Sequence, residues 1–136
     1  MESLFADTQG WVALTNKRDE YHAQAVKVKR RCLEQERKFE TTNFVLDETY
    51  TLLKARMGYK SAIEFGEMIR QANTIDIVHI SEEVEDEAWQ LFRRYSDKGF
   101  SFTDCTSFVI MQRNGLSEAF TNDHHFEQIG YSVLLK

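Results

Sequence analysis

Four carboxylates stand where local geometry could bring them together: Asp7, Glu48, Asp104 and Asp123. Asp7 directly follows the apolar run Leu4-Phe5-Ala6 and precedes a stretch in which Trp11 and Leu14 have helical spacing, so it sits at the carboxyl end of a strand. Asp123 follows Ala119-Phe120-Thr121-Asn122 and occupies the same kind of position. Glu48 shares a helix face with Phe44, Leu52 and Ala55. A carboxylate on a core-facing stripe needs a partner or a metal, because burying it unpaired is costly. Asp104 opens a helix whose face continues through Ser107, Phe108 and Met111. Four converging carboxylates repel one another and require cations. Hard oxygen ligands of this kind suit Mg²⁺ or Mn²⁺. Such ions orient and activate a water and stabilise the attacking and leaving oxygens of a phosphodiester.

Each acid also has an ordinary reading. Asp7 is a good helix cap, Asp104 a first-turn acid that complements the helix dipole, and Asp123 a turn residue. Glu48 could lie at the edge of its stripe and reach water, and for it the two readings weigh equally. Asp47 points about 100° away on a regular helix and reads as solvated.

The elements favour the joint reading. The chain has no proline and six glycines, which suits long helices with short connections. Strands are expected at Ser3–Ala6, Phe39–Asn43, Ile75–Ile80, Ala119–Thr121 and Tyr131–Leu135. Helices are expected from Trp11, over about Asp19–Lys38, Phe44–Met57 and Ser61–Asn73, from Ser81, and over Asp104–Asn114 with Thr103 as its cap. Thr42 or Asn43 can cap the helix that begins near Phe44, and Gly58 suits its end. Strands alternating with helices imply an α/β three-layer sandwich: a mainly parallel sheet with helices on both faces and right-handed crossovers. In such sheets ligands bind at the carboxyl ends of the strands. Helices begin where those strands end, so all four acids belong to that edge.

Composition narrows the class. The 136 residues read as a single domain, 1–136, and can bury a core without disulfide or zinc. The longest apolar runs, Trp11–Leu14 and Phe108–Met111, have four residues. A membrane-spanning helix needs about 20. Met1-Glu2-Ser3 lacks the basic start of a signal peptide. Cys32 and Cys105 have no metal-ligand spacing, so a reduced, cytoplasmic protein is expected. With 22 acidic and 17 basic residues the net charge is -5, which excludes binding of nucleic acid by bulk positive charge. Setting the four acids aside leaves 18 against 17, so most of the excess lies in one cation-neutralised pocket.

Other residues carry weaker signals. Lys27, Lys29, Arg30 and Arg31 could contact phosphate, but Glu34 and Glu36 nearby favour a solvated helix face. His124 and His125 are adjacent on an expected turn and cannot easily share one ion; one of them could assist a substrate or product phosphate, but a packing or surface role is favoured. Thr8, Thr49 and Thr103 flank proposed acids and could orient a carboxylate or a bound water. Trp11, Trp89, Phe92 and Tyr95 could stack bases, although aromatics at helical spacing favour core or dimer interface. Nothing near Cys105 would activate it as a nucleophile.

Several segments together resemble the PIN domain, and within it the VapC-like ribonuclease toxins. They are Leu4-Phe5-Ala6-Asp7-Thr8, the His22…Ala25 stretch, Leu46-Asp47-Glu48-Thr49, Phe102-Thr103-Asp104-Cys105-Thr106-Ser107-Phe108, and Ala119 through Phe126 followed by Gly130-Tyr131. Each motif is short; their order and spacing are more specific. The resemblance implies an Mg²⁺- or Mn²⁺-dependent endoribonuclease with Asp7, Glu48, Asp104 and Asp123 as its acidic set. Asp7 and Asp104 would be the main metal ligands. Glu48 would complete the site or act through a bound water, and Asp123 would hold a second ion. It also implies RNA as substrate, a homodimer, a small antitoxin encoded alongside, and a sheet of about five parallel strands. Asn122 departs from the aromatic or aliphatic residue of many relatives and reads as a turn residue. Two alternatives are a receiver-like module that accepts phosphate on an Asp and a catalytically silent binding domain. A receiver needs a Lys after a late strand, and only Lys136 is available.

Overall fold

Short apolar runs form strands here because they are buried on both faces. Leu4, Phe5 and Ala6 are all enclosed, as are Ala119 and Phe120, which is the pattern of a parallel sheet covered on both sides. A computed structural model describes residues 2–136. Among these residues there are five strands: β1 (Leu4–Ala6), β2 (Phe39–Thr42), β3 (Ile75–Val78), β4 (Glu118–Phe120) and β5 (Ser132–Val133). They are joined by α1 (Thr8–Thr15), α2 (His22–Glu34), α3 (Asn43–Met57), α4 (Tyr59–Gln71), α5 (Glu82–Arg94), α6 (Phe102–Arg113) and α7 (His124–Gln128). The sheet order is β3-β2-β1-β4-β5, and every neighbouring pair is parallel.

This order has one reversal. From β1 the chain steps outward to β2 and β3, then crosses back to β4 and steps the other way to β5. Right-handed crossovers therefore put α1–α4 on one face and α5–α7 on the other. The switch in direction falls between β1 and β4, which pair through Phe5 with Ala119 and Ala6 with Phe120. The expected three-layer α/β sandwich is the observed one. Differences are local. The short α7 was not anticipated, α2 is shorter than the helical composition suggests, and β5 spans only Ser132–Val133.

Aromatic side chains fill both interlayer spaces. Trp11 on α1 packs against Phe39, Phe120 and Phe65 with ring centroids 5.5–6.2 Å apart. On the opposite face Phe108 and Phe126 meet edge to face at 5.0 Å, with Phe5 against Phe126. Trp11 is thus a core residue. Trp89 and Phe92 are not: they remain 51% and 38% exposed on α5. Gly58, at φ +93°, separates α3 from α4 in a backbone conformation that side chains disfavour.

Gly10 fixes how closely α1 approaches the sheet. A Cβ there would lie 2.0 Å from the Phe120 carbonyl oxygen. Alanine would gain about 1 kcal/mol of helix propensity, but a clash with backbone cannot be relieved by a rotamer change. Gly10→Ala is therefore expected to destabilise the fold by about 1–3 kcal/mol net, measured as a lower urea midpoint. An unchanged or raised midpoint would contradict this packing.

Candidate active site

The switch between β1 and β4 opens into a cleft of about 670 Å³, and Asp7, Glu48, Asp104 and Asp123 all line it. Asp7 leaves β1 in extended conformation and stands at the N-cap of α1, yet its side chain makes no capping bond there. Instead, its Oδ2 accepts a 2.9 Å hydrogen bond from the Thr121 hydroxyl, which lies just beyond β4. The carboxylate is 3% exposed. Burial pushes its pKa up to about 7, and the neighbouring Asp104 and Asp123 charges push the same way against the Thr121 bond.

Asp104 is the third residue of α6. The cap of this helix is Ser101, two residues before the expected Thr103. The Ser101 hydroxyl accepts from the Asp104 amide at 2.9 Å, and the Ser101 amide donates to Asp104 Oδ2 at 3.0 Å. This capping box satisfies one carboxylate oxygen and aims the side chain. Asp104 is buried too, and desolvation raises its pKa although the Ser101 amide opposes the shift. Asp123 caps α7 by accepting from the His125 amide at 2.9 Å. Its own amide donates to the Thr121 hydroxyl oxygen at 3.1 Å. Thr121 therefore ties the first and last acids together, a role that its place among β-prone residues did not reveal.

Of the two settings open to Glu48, the structure shows the one that reaches water. The core-facing side of α3 is Val45, Leu46, Thr49 and Leu53. The face with Glu48 is half-exposed and lines the cleft, so no burial cost falls on its carboxylate. Asp47, expected to point away, lines the cleft as well. The threonines divide. Thr8 and Thr103 border the cleft, but the Thr8 and Thr49 hydroxyls lie 3.2 Å apart and both reach the Val45 carbonyl rather than a carboxylate.

His125 lines the cleft, where one histidine could assist a phosphate, rather than taking only the favoured packing or surface role. It packs edge-on against Phe100, with Nδ1 3.2 Å from Asp123 Oδ1 and 3.4 Å from Asp104 Oδ2. That buried nitrogen makes no hydrogen bond. Because α7 begins at His124, the two imidazoles are not splayed as on an open turn: Asp123, His124 and His125 offer donor atoms within 4.8 Å of one another. Cys105 is inert, since burial pushes its thiol up to about 11. The basic residues of α2 that drew attention in the sequence do not line this cleft.

The donor set fits a hard divalent cation. Two desolvated carboxylates, Asp7 and Asp104, and three more accessible ones, Asp47, Glu48 and Asp123, face one cleft whose lining side chains include a single permanent cation, Arg56. This is a parallel α/β fold with an acidic cleft at its topological switch point. The sequence matches the family model of the PIN domain over residues 4–130, and the chain belongs to that family. It is 34% identical over 128 residues to the 23S rRNA-specific endonuclease VapC20 of Mycobacterium tuberculosis, covering 94% of this chain and 95% of that protein. The crystal structure of M. tuberculosis VapC20, described as a sarcin-ricin loop cleaving toxin, superposes with a TM-score of 0.84 at 32% identity, covering 95% and 96% of the two chains. A DNA-bound VapBC structure from Salmonella typhimurium shares the fold, with a TM-score of 0.68 at 15% identity and coverage of 98% and 97%.

The raised Asp7 pKa has a consequence for stability. The unfolded carboxyl ionises near pH ~4, whereas the folded one holds its proton to about pH 7. Folding meets no penalty from this group below the unfolded value, and stability falls as pH rises from there through about 7. The full difference corresponds to at most ~4 kcal/mol. In chelator, Asp7→Asn should raise the thermal midpoint by several degrees at pH 8 and leave it nearly unchanged at pH 4. Equal effects at both pH values would contradict the assignment.

Proposed function

We propose that this protein is an endoribonuclease of the VapC type that hydrolyses RNA phosphodiester bonds with a divalent cation, Mg²⁺ or Mn²⁺. The observation that carries the reading is the pair of buried carboxylates, Asp7 and Asp104, meeting Glu48 and Asp123 in one cleft. Its family context is the likeness to an rRNA-specific endonuclease over nearly the whole chain.

Asp7 and Asp104 are the principal metal ligands in this reading. Their oxygens are preset by Thr121 and by the Ser101 capping box, so little reorganisation is needed when a cation binds. Glu48 and Asp123 complete the acidic set from the accessible side. A bound divalent cation neutralises these charges and supplies Lewis acidity toward the scissile phosphate. Water is the nucleophile, added across the P–O bond, because no activated side-chain nucleophile lines the cleft. Ribosomal RNA is the substrate class that the likeness to VapC20 nominates. A small antitoxin and a homodimeric assembly are proposed on the same likeness. The receiver-like alternative is disfavoured by two observations. Receiver modules have strand order 2-1-3-4-5, against 3-2-1-4-5 here. Lys136, the one lysine available to it, pairs with Glu127 at 2.9 Å and does not line the cleft.

RNA cleavage assayed with Mg²⁺ or Mn²⁺ tests the proposal. Asp7→Asn and Asp104→Asn should each slow cleavage on the order of 10²–10³-fold, the scale of losing one preorganised electrostatic group. Folded variants that cleave as fast as the parent would sink it.

A further inference from the structure

Next to the acidic cleft lies a second cleft of about 460 Å³ with the opposite character. It is lined by Thr15, Asn16, Lys17, Arg18, Arg56 and Met57, with no acid among them. Lys17 and Arg18 come from the α1–α2 loop and Arg56 from the last turn of α3. Arg56 borders both clefts, which therefore adjoin at its side chain.

Three features mark this cleft as more than a scatter of surface charge. None of its three cations takes part in an ion pair among the described residues. The loop is held by its own side chains: Asn16 Oδ1 accepts from the Arg18 amide at 3.0 Å, and Asp19 Oδ1 accepts from the Tyr21 amide at 2.9 Å. Asp19 and Glu20 follow in the loop, and neither lines the cleft. The neighbouring Lys54 is occupied elsewhere, over the Tyr59 ring at 4.5 Å. The ordinary explanation is that the cations complement the C-terminal ends of α1 and α3. Two such ends carry roughly −0.5 charge each, which offsets about one of the three positive charges on the cleft lining. On a chain of net charge -5 the remainder is confined to that lining.

We propose that Lys17, Arg18 and Arg56 form a phosphate track for the RNA strand, holding backbone phosphates on one side of the bond to be cleaved. The inference rests on the nuclease reading of the acidic cleft. Its position beside that cleft, with Arg56 bordering both, favours the substrate strand over an acidic protein segment. The track explains how an acidic protein engages RNA at a site that itself repels phosphate. The cation-neutralised pocket would hold the scissile phosphate, and the three side chains its neighbours.

The test uses the full chain and a fluorescently labelled single-stranded RNA, with binding followed by anisotropy in chelator across a salt series. Replacing all three residues by alanine (K17A/R18A/R56A) should lower the slope of log K against log salt by about 2, at roughly 0.7 per phosphate contact on a single strand. The charge-matched control K27A/K29A/R30A, on the exposed side of α2, should keep the parent slope. In cleavage assays with Mg²⁺, K17A/R18A should raise KM by a larger factor than it lowers kcat. A parent-like slope and KM in the cleft variants would overturn the track, as would an equal loss in the α2 control. If the parent cleaves RNA while the cleft variants bind and cleave like it, only the track falls. If the parent cleaves no RNA, yet binding weakens in the cleft variants alone, the nuclease reading falls and the cleft remains an RNA site.

Discussion

A carboxylate enclosed by protein, with no permanent cation bonded to it among the described residues, is the constraint around which this molecule is arranged. Asp7 is 3% exposed and shares its surroundings with Asp104. Desolvation and like charge both oppose its ionisation. The surrounding structure holds the unfavourable group in place. β1 delivers it at the switch point of the sheet, and Thr121 reaches over from β4 to grip one oxygen. Gly10 lets the start of α1, with Asp7 at its N-cap, sit close against the Phe120 carbonyl. Across the cleft the Ser101 capping box fixes Asp104. Buried like charges of this kind cluster at functional sites.

Charge is segregated along one edge of the fold. The acids gather at the carboxyl ends of β1 and β4 and the starts of α3 and α6, while Lys17, Arg18 and Arg56 gather at the ends of α1 and α3. Helix polarity contributes to this division, since helix starts favour anions and helix ends favour cations. α3 carries both, with Glu48 in its first half and Arg56 in its last turn. One helix thus spans from the catalytic cleft of the proposed nuclease to the proposed strand path.

Much of this was legible in the sequence, because strand ends and helix starts announce themselves locally. Leu4-Phe5-Ala6 before Asp7 and the run Phe108–Met111 after Asp104 sufficed to place two acids on one edge. For Glu48 the sequence left two environments open, core-facing stripe or water-reaching edge, and the structure shows the second. Helical periodicity says which residues share a face, not whether that face meets core or cleft. Thr121 and His125 were illegible as cleft residues for a related reason. Thr121 acts through a partner 114 positions away. His125 acquires its orientation from α7, a five-residue helix too short to leave a periodic signal. The basic cleft joins a loop to a helix end, and neither segment is rich enough in basic residues to stand out; the denser cluster on α2 is the one that faces solvent.

The central claim is that the buried carboxylates are a cation site, and proton release on metal binding tests it most directly. Mn²⁺ would be titrated into the metal-free protein by calorimetry at pH 7, in two buffers of different ionisation enthalpy. With the Asp7 carboxyl at about 7, binding should expel about half a proton from that group, and Asp7→Asn should bind more weakly and lose that release. Binding of equal strength by parent and variant, with no difference between the buffers, would contradict the account.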